Sequence, residues 1–131
     1  MALDIDQLDD SVMEFLTERH LATLTTLRTD GSPHVVAVGF SYDPEARVVR
    51  VITWATSQKA INAGRMEAQG QHAAVCQVDG GRWLTLEGPV RLVTDQVQPG
   101  IDGYAARYQQ PKERDDRAVL EIDVTKILGR A

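Results

Sequence analysis

Cysteine is nearly absent: one thiol, Cys76, stands in 131 residues. No intrachain disulfide is possible, and a cysteine-based metal site is all but excluded. A surplus of positive charge is absent too. Fourteen Lys and Arg face nineteen Asp and Glu, for a net charge of −5. That balance argues against nucleic-acid or membrane-surface binding, which needs a basic face. No apolar run approaches the length of a membrane span. The first ten residues, MALDIDQLDD, lack the basic and apolar regions of a signal peptide. The expectation is a cytoplasmic protein. Repeats, low-complexity tracts and linkers are missing, and the length suits one domain over residues 1–131. The common catalytic signatures are missing as well. There is no GxSxG, no Walker loop and no GxGxxG. His20, His34 and His72 lie far apart, without metal-ligand spacing. Cys76 falls within an apolar strand and reads as an inert core thiol.

What is present is enough apolar residue, 43%, to build a packed core. Ser11 and Glu14 have capping-box spacing and predict a helix over 11–19, with Val12, Phe15 and Leu16 on its apolar face. Six strands are expected, at 21–28, 34–42, 47–54, 73–78, 82–93 and 118–124. The near-continuous apolar run of 34–42 suggests burial on both faces. Asp30-Gly31, Asp43-Pro44 and Asp79-Gly80-Gly81 are turn signals between strands. Gly88-Pro89 must bend or bulge the long fifth strand, because proline cannot donate to a ladder. In the last strand Leu120, Ile122 and Val124 alternate with outward Glu121 and Asp123. Short helices are expected at 57–65 and around 101–108. Short antiparallel strands joined by tight turns point to a mainly β barrel with a few helices.

The stretch VRVITWATSQKAINAGR, residues 49–65, runs from a strand straight into Ser57-Gln58-Lys59 at the mouth of a helix. Helix N–H groups, a serine hydroxyl and an ammonium can together hold a phosphate. Arg50 shares a strand face with Ile52 and Trp54 and could project towards the same anion. Pattern alone equally fits, and more commonly means, a serine N-cap with solvated basic residues. Trp83, just after a turn, is either an ordinary strand tryptophan or an indole for a flat ligand or a subunit interface. His34 either faces a ligand or ends a strand at the surface. A chain without catalytic signatures that holds a phosphate-bearing ligand suits an enzyme whose cofactor does the chemistry.

Three stretches, GSPHVVAVGFSYDPEARVVRVIT (31–53), SQKAINA (57–63) and DGGRWLTLEG (79–88), resemble the split β-barrel flavin and deazaflavin oxidoreductases related to pyridoxamine 5′-phosphate oxidase. Within that family the likeness is nearest to the coenzyme F420-dependent biliverdin reductases. The resemblance spans roughly residues 10–128. It implies a six-stranded antiparallel split barrel, a homodimer with cofactors in grooves between subunits, and a small-molecule substrate. It implies F420, with FMN as the alternative. Cofactor contacts would fall on Ser57, Gln58, Lys59 and Arg50 for phosphate. His34, Val36, Val38, Ile52 and Thr53 would lie against the ring, with Gln77 and Trp83 reaching in from the partner subunit. The resemblance favours the phosphate reading of the Ser57–Lys59 turn. Arg65 and Arg82 are further candidates for anions of the substrate or cofactor tail. The hydride is borne by the cofactor, and no side chain stands out as the catalytic acid. A tetrapyrrole carrier without turnover is the non-enzymatic alternative.

Overall fold

A computed structural model describes residues 2–131. Helix α1 (Asp10–Thr17) leads into β1 (Ala22–Leu27), β2 (Pro33–Val38), β3 (Ser41–Asp43) and β4 (Val48–Trp54). Helix α2 (Gln58–Ala68), β5 (His72–Asp79), β6 (Arg82–Val93), α3 (Gln98–Arg107), β7 (Arg117–Asp123) and β8 (Lys126–Arg130) follow. Every pairing is antiparallel, and the order is β2-β1-β5-β6-β7-β4-β3 with β8 also on β6. No helix among the described residues is long and apolar enough to cross a membrane.

The fold turns on β6. Its residues 82–89 pair with β5, and within them 83–87 pair with β8; its last four residues pair with β7. The change of partner falls at Gly88-Pro89, where the sequence demands a bend. A Cβ on Gly88 would sit 1.8 Å from the Asp123 carbonyl oxygen, so only glycine lets the two strands approach this closely. One strand therefore serves two sheets. Phe15, Leu24, Phe40, Met66, Leu84, Leu86, Leu120, Ile122 and Ile127 fill the space between them without solvent contact.

The count is eight strands, not six, and the ladder is left open between β2 and β3. Residues 34–42 do not make one strand. The Phe40 N–H donates to the Tyr108 hydroxyl (3.2 Å), and the Phe40 carbonyl accepts from Arg107 (2.8 Å). Side chains satisfy Phe40 where a ladder would otherwise continue. The chain crosses between the two ends of the sheet order at Gly39-Phe40, and the barrel is split there. Burial of this segment on both faces is also corrected: Val36 and Val38 turn inward, while Val35 is 54% exposed. The eighth strand, β8, is short and carries Lys126, Gly129 and Arg130, which hide its strand character. Helix α1 starts one residue early, with Asp9 as N-cap and no side-chain cap bond, so Ser11 lies inside the helix and forms no capping box.

Glu121 points outward as expected but is not solvated. It is 9% exposed, held by Arg50 Nε (2.9 Å) on one side and Arg91 Nη2 (2.7 Å) on the other. Arg50 also reaches Asp43 (3.2 Å), and Arg91 reaches Asp123. These five residues lie across β3, β4, β7 and β6 as an ion-pair ladder. The backbone N–H of Ala46, with help from Arg50, holds the Asp43 carboxyl below the usual aspartate range against some desolvation.

Candidate functional site

Strand β4 carries Ile52 and Trp54 outward at its end, then turns into α2. Ser57 is the N-cap: its Oγ accepts from the Ala60 N–H (3.2 Å) and shares a 2.8 Å hydrogen bond with Thr53 Oγ1. Both side chains are buried, with Ser57 6% and Thr53 2% exposed. The cap leaves Lys59 on the outer side of the first turn. Lys59, Ile52 and Trp54 face Ala37, Val38 and Gly39 from the end of β2. Tyr104 from α3, the 109–116 loop and Arg117 at the start of β7 complete a groove of about 350 Å³.

Lys59, Lys112, Arg114 and Arg117 all line this groove, and no Asp or Glu does. Arg114 is paired with Asp116 at 2.9 Å. Arg117 donates to the carbonyls of Thr53 (3.2 Å) and Lys112 (2.6 Å). Among the described residues no carboxylate lies within salt-bridge distance of Lys59, Lys112 or Arg117. Desolvation lowers the Lys59 pKa from its ordinary value, with no anion to offset it. Trp54 has two cations near its ring: the Lys59 ammonium is 5.2 Å and the Arg114 guanidinium 5.0 Å from its centroid. Lys112, Arg114 and Arg117 also line a second cavity of about 410 Å³ towards Gln98 and Ile101, where Glu113 and Asp115 join them. An arrangement of this kind can hold a flat ligand against Ile52 and Val38 and neutralise its anionic ends.

The sequence-derived candidates divide accordingly. Lys59, Ile52 and Val38 meet in the groove. Ser57 and Thr53 support it from beneath, their hydroxyls already engaged with each other. Gln58 donates to Asn62 (2.8 Å), which holds buried Thr26 (3.1 Å), so the amide braces α2 against β1. Val36 packs on the core. His34 is half-buried, opposite Thr26 in register, and its Nδ1 is shut from solvent without a hydrogen-bond partner. Arg50 is committed to the ion-pair ladder, which overturns its projection towards the Ser57 turn. Arg65 donates to the Leu27 carbonyl and to Asn62. Arg82 is paired with Glu18 (3.0 Å) and Asp79 (2.6 Å) and lies over the Phe15 ring. Neither arginine lines the groove. Gln77 has no exposed surface; it bonds the Phe15 carbonyl (3.0 Å) and receives Arg107 (2.7 Å), so it cannot reach into a partner's groove. Trp83 is half-buried, across from exposed Val78.

Sequence reasoning missed Ala37, Tyr104, Lys112, Arg114 and Arg117. The tract KERDDR (112–117) was visible, but its alternating signs are those of a solvated loop. Only folding aims its cations one way.

The family model described as pyridoxamine 5′-phosphate oxidase matches residues 8–131. The F420H(2)-dependent biliverdin reductase of Mycobacterium tuberculosis (strain CDC 1551 / Oshkosh) is 49% identical over 127 residues, covering 95% of this chain and 90% of that protein. A solved F420 reductase superposes with a TM-score of 0.72 at 23% identity, over 92% of this chain and 98% of its own. The heme storage protein HutZ of Vibrio cholerae superposes at 0.71 and 15% identity, over 94% of each. At these identities the two structures speak for the fold alone.

Proposed function

We propose, because the chain belongs to the pyridoxamine 5′-phosphate oxidase family, that it is an F420-dependent oxidoreductase whose acceptor is biliverdin, reduced to bilirubin. The observation that carries the reading is the groove itself: four cations and no carboxylate, in a chain of net charge −5. Lys59, unpaired among the described residues and partly desolvated, is costly to hold there unless an anion joins it. The name of the 49% identical relative supports F420 as that anion.

The residues present fit such a group. The Lys59 ammonium, with no carboxylate partner among the described residues, is unsatisfied on the groove side where a phosphate would lie, whereas the orphaned His34 Nδ1 lies outside the groove lining. When bound, F420 supplies a hydride from ring carbon C5. Lys59 holds the phosphate as a point charge. Lys112, Arg114 and Arg117 meet the carboxylates of the cofactor tail and of the substrate, the role first sought in Arg65 and Arg82. Ala37, Val38 and Ile52 keep water from one face of the ring, which strengthens these charge contacts. No carboxylic acid lines the groove, and the proton that accompanies the hydride is assigned to solvent. The outer face of β2, β1, β5 and β6, where Val35 and Val78 are exposed beside half-buried Cys76 and Trp83, is the proposed homodimer surface.

Titration of the apo-protein with F420 and with FMN, followed by cofactor fluorescence, tests the reading. F420 binding at micromolar or tighter Kd with no FMN binding is expected, and biliverdin turnover with reduced F420 should follow. Binding of FMN alone would make this a flavin enzyme on the same fold. Biliverdin binding without turnover would make it a carrier.

A further inference from the structure

We propose that Trp54 sets the selectivity of the groove. By holding Lys59 and Arg114 together at its indole, it makes the groove prefer a planar ligand that carries an anion beyond its ring. The inference rests on the F420 reading and names a selectivity device within it. Trp54 is 40% exposed at the end of β4, opposite Arg117 in register, so it is no part of the core. Its two cations come from separate elements, α2 and the 109–116 loop. A lysine ammonium on a four-carbon stem spreads into solvent unless something fixes it. Here the indole lies within cation–π distance of both. Arg114 keeps Asp116 as its partner, whereas Lys59 has no carboxylate partner among the described residues, so an anion bound beside the ring supplies the charge that Lys59 lacks. Without the indole, each cation would serve the ligand alone. Trp54 is thus a positioning residue, acting through Lys59 and Arg114.

The test compares wild type, Trp54→Phe and Trp54→Leu. Each is titrated with F420 and with the deazaflavin chromophore lacking phosphate and tail, over a range of salt. Trp54→Leu is expected to lose about tenfold in F420 affinity, the sum of two cation–π contacts, with a shallower salt dependence. Its affinity for the bare chromophore should stay within about twofold, and Trp54→Phe should keep most F420 affinity. Equal loss for both ligands, or no loss, would overturn the proposal. A second arm needs no F420 and leaves Trp54 in place. In a Trp83→Phe background, pyrophosphate should change the Trp54 fluorescence, and Lys59→Met should abolish the change. Absence of a response overturns the proposal. Absence of F420 binding in wild type, with the pyrophosphate response intact, overturns only the choice of cofactor.

Discussion

Two clusters of arginine and lysine lie on this small protein and are wired in opposite ways. On the outer side of β3, β4, β7 and β6, Arg50 and Arg91 are saturated by Asp43, Glu121 and Asp123. In the groove, Lys59, Lys112 and Arg117 have no acidic partner among the described residues. The same residue types therefore answer to different demands. The ladder neutralises itself and ties strands together. The groove keeps its charge available and gives up stability to do so. A cation's neighbours, more than its presence, separate a structural site from a binding one.

The largest effect expected from breaking this contrast is on the ladder. Glu121→Gln leaves two guanidiniums facing each other without their shared carboxylate. It should lower the free energy of unfolding by about 3 kcal/mol in a denaturant titration. Cofactor affinity of the folded fraction should be unchanged. A loss of affinity would mean that the two clusters are not separate. Lys59→Met is the mirror image. Affinity for F420 should fall by about 10- to 100-fold, as for a lost charge-assisted contact, while stability holds or rises slightly. The pH dependence has the matching sign. Because burial lowers the Lys59 pKa, the free groove loses charge as pH rises through that depressed value, earlier than an ordinary lysine would allow. Anion binding should weaken there and folding stability should rise over the same range, up to the unfolded lysine value. The smallest effect is at Ser57. With its hydroxyl engaged by Thr53 and Ala60, Ser57→Ala should cost about 1 kcal/mol of stability, read from the shift in Tm. A larger loss in cofactor binding than in stability would instead place the hydroxyl on the ligand.

Much of this was legible in the residues, for identifiable reasons. The long strand 82–93 and its Gly88-Pro89 bend, the Ser57 cap and the Asp-Gly turns are local chemistry, and local chemistry shows in sequence. Lys59, Ile52 and Val38 stood out as candidates because two strands and one helix start carry them. Arg50 was misjudged because Glu121, which holds it, lies 71 positions away. Arg50 then looked free to serve the groove. Gln77 was misplaced for the same reason: its buried partners, Phe15 and Arg107, come from two distant helices. The basic wall of the groove sits in an irregular loop with no periodicity to reveal which side each charge takes.

Arg107 carries a consequence of its own. Its guanidinium is spent on four oxygens: the carbonyls of Phe15, Glu18 and Phe40 and the Gln77 amide. It bolts the end of α3 to the body of the protein, and β7 anchors the chain again at Arg117. The nine residues between, 108–116, run from one post to the other, and Lys112 and Arg114 among them carry two of the groove's four cations. That span behaves as an exchangeable part. Its length and composition can drift, and with them the size and charge of what the groove accepts, while every contact of the core stays as it is.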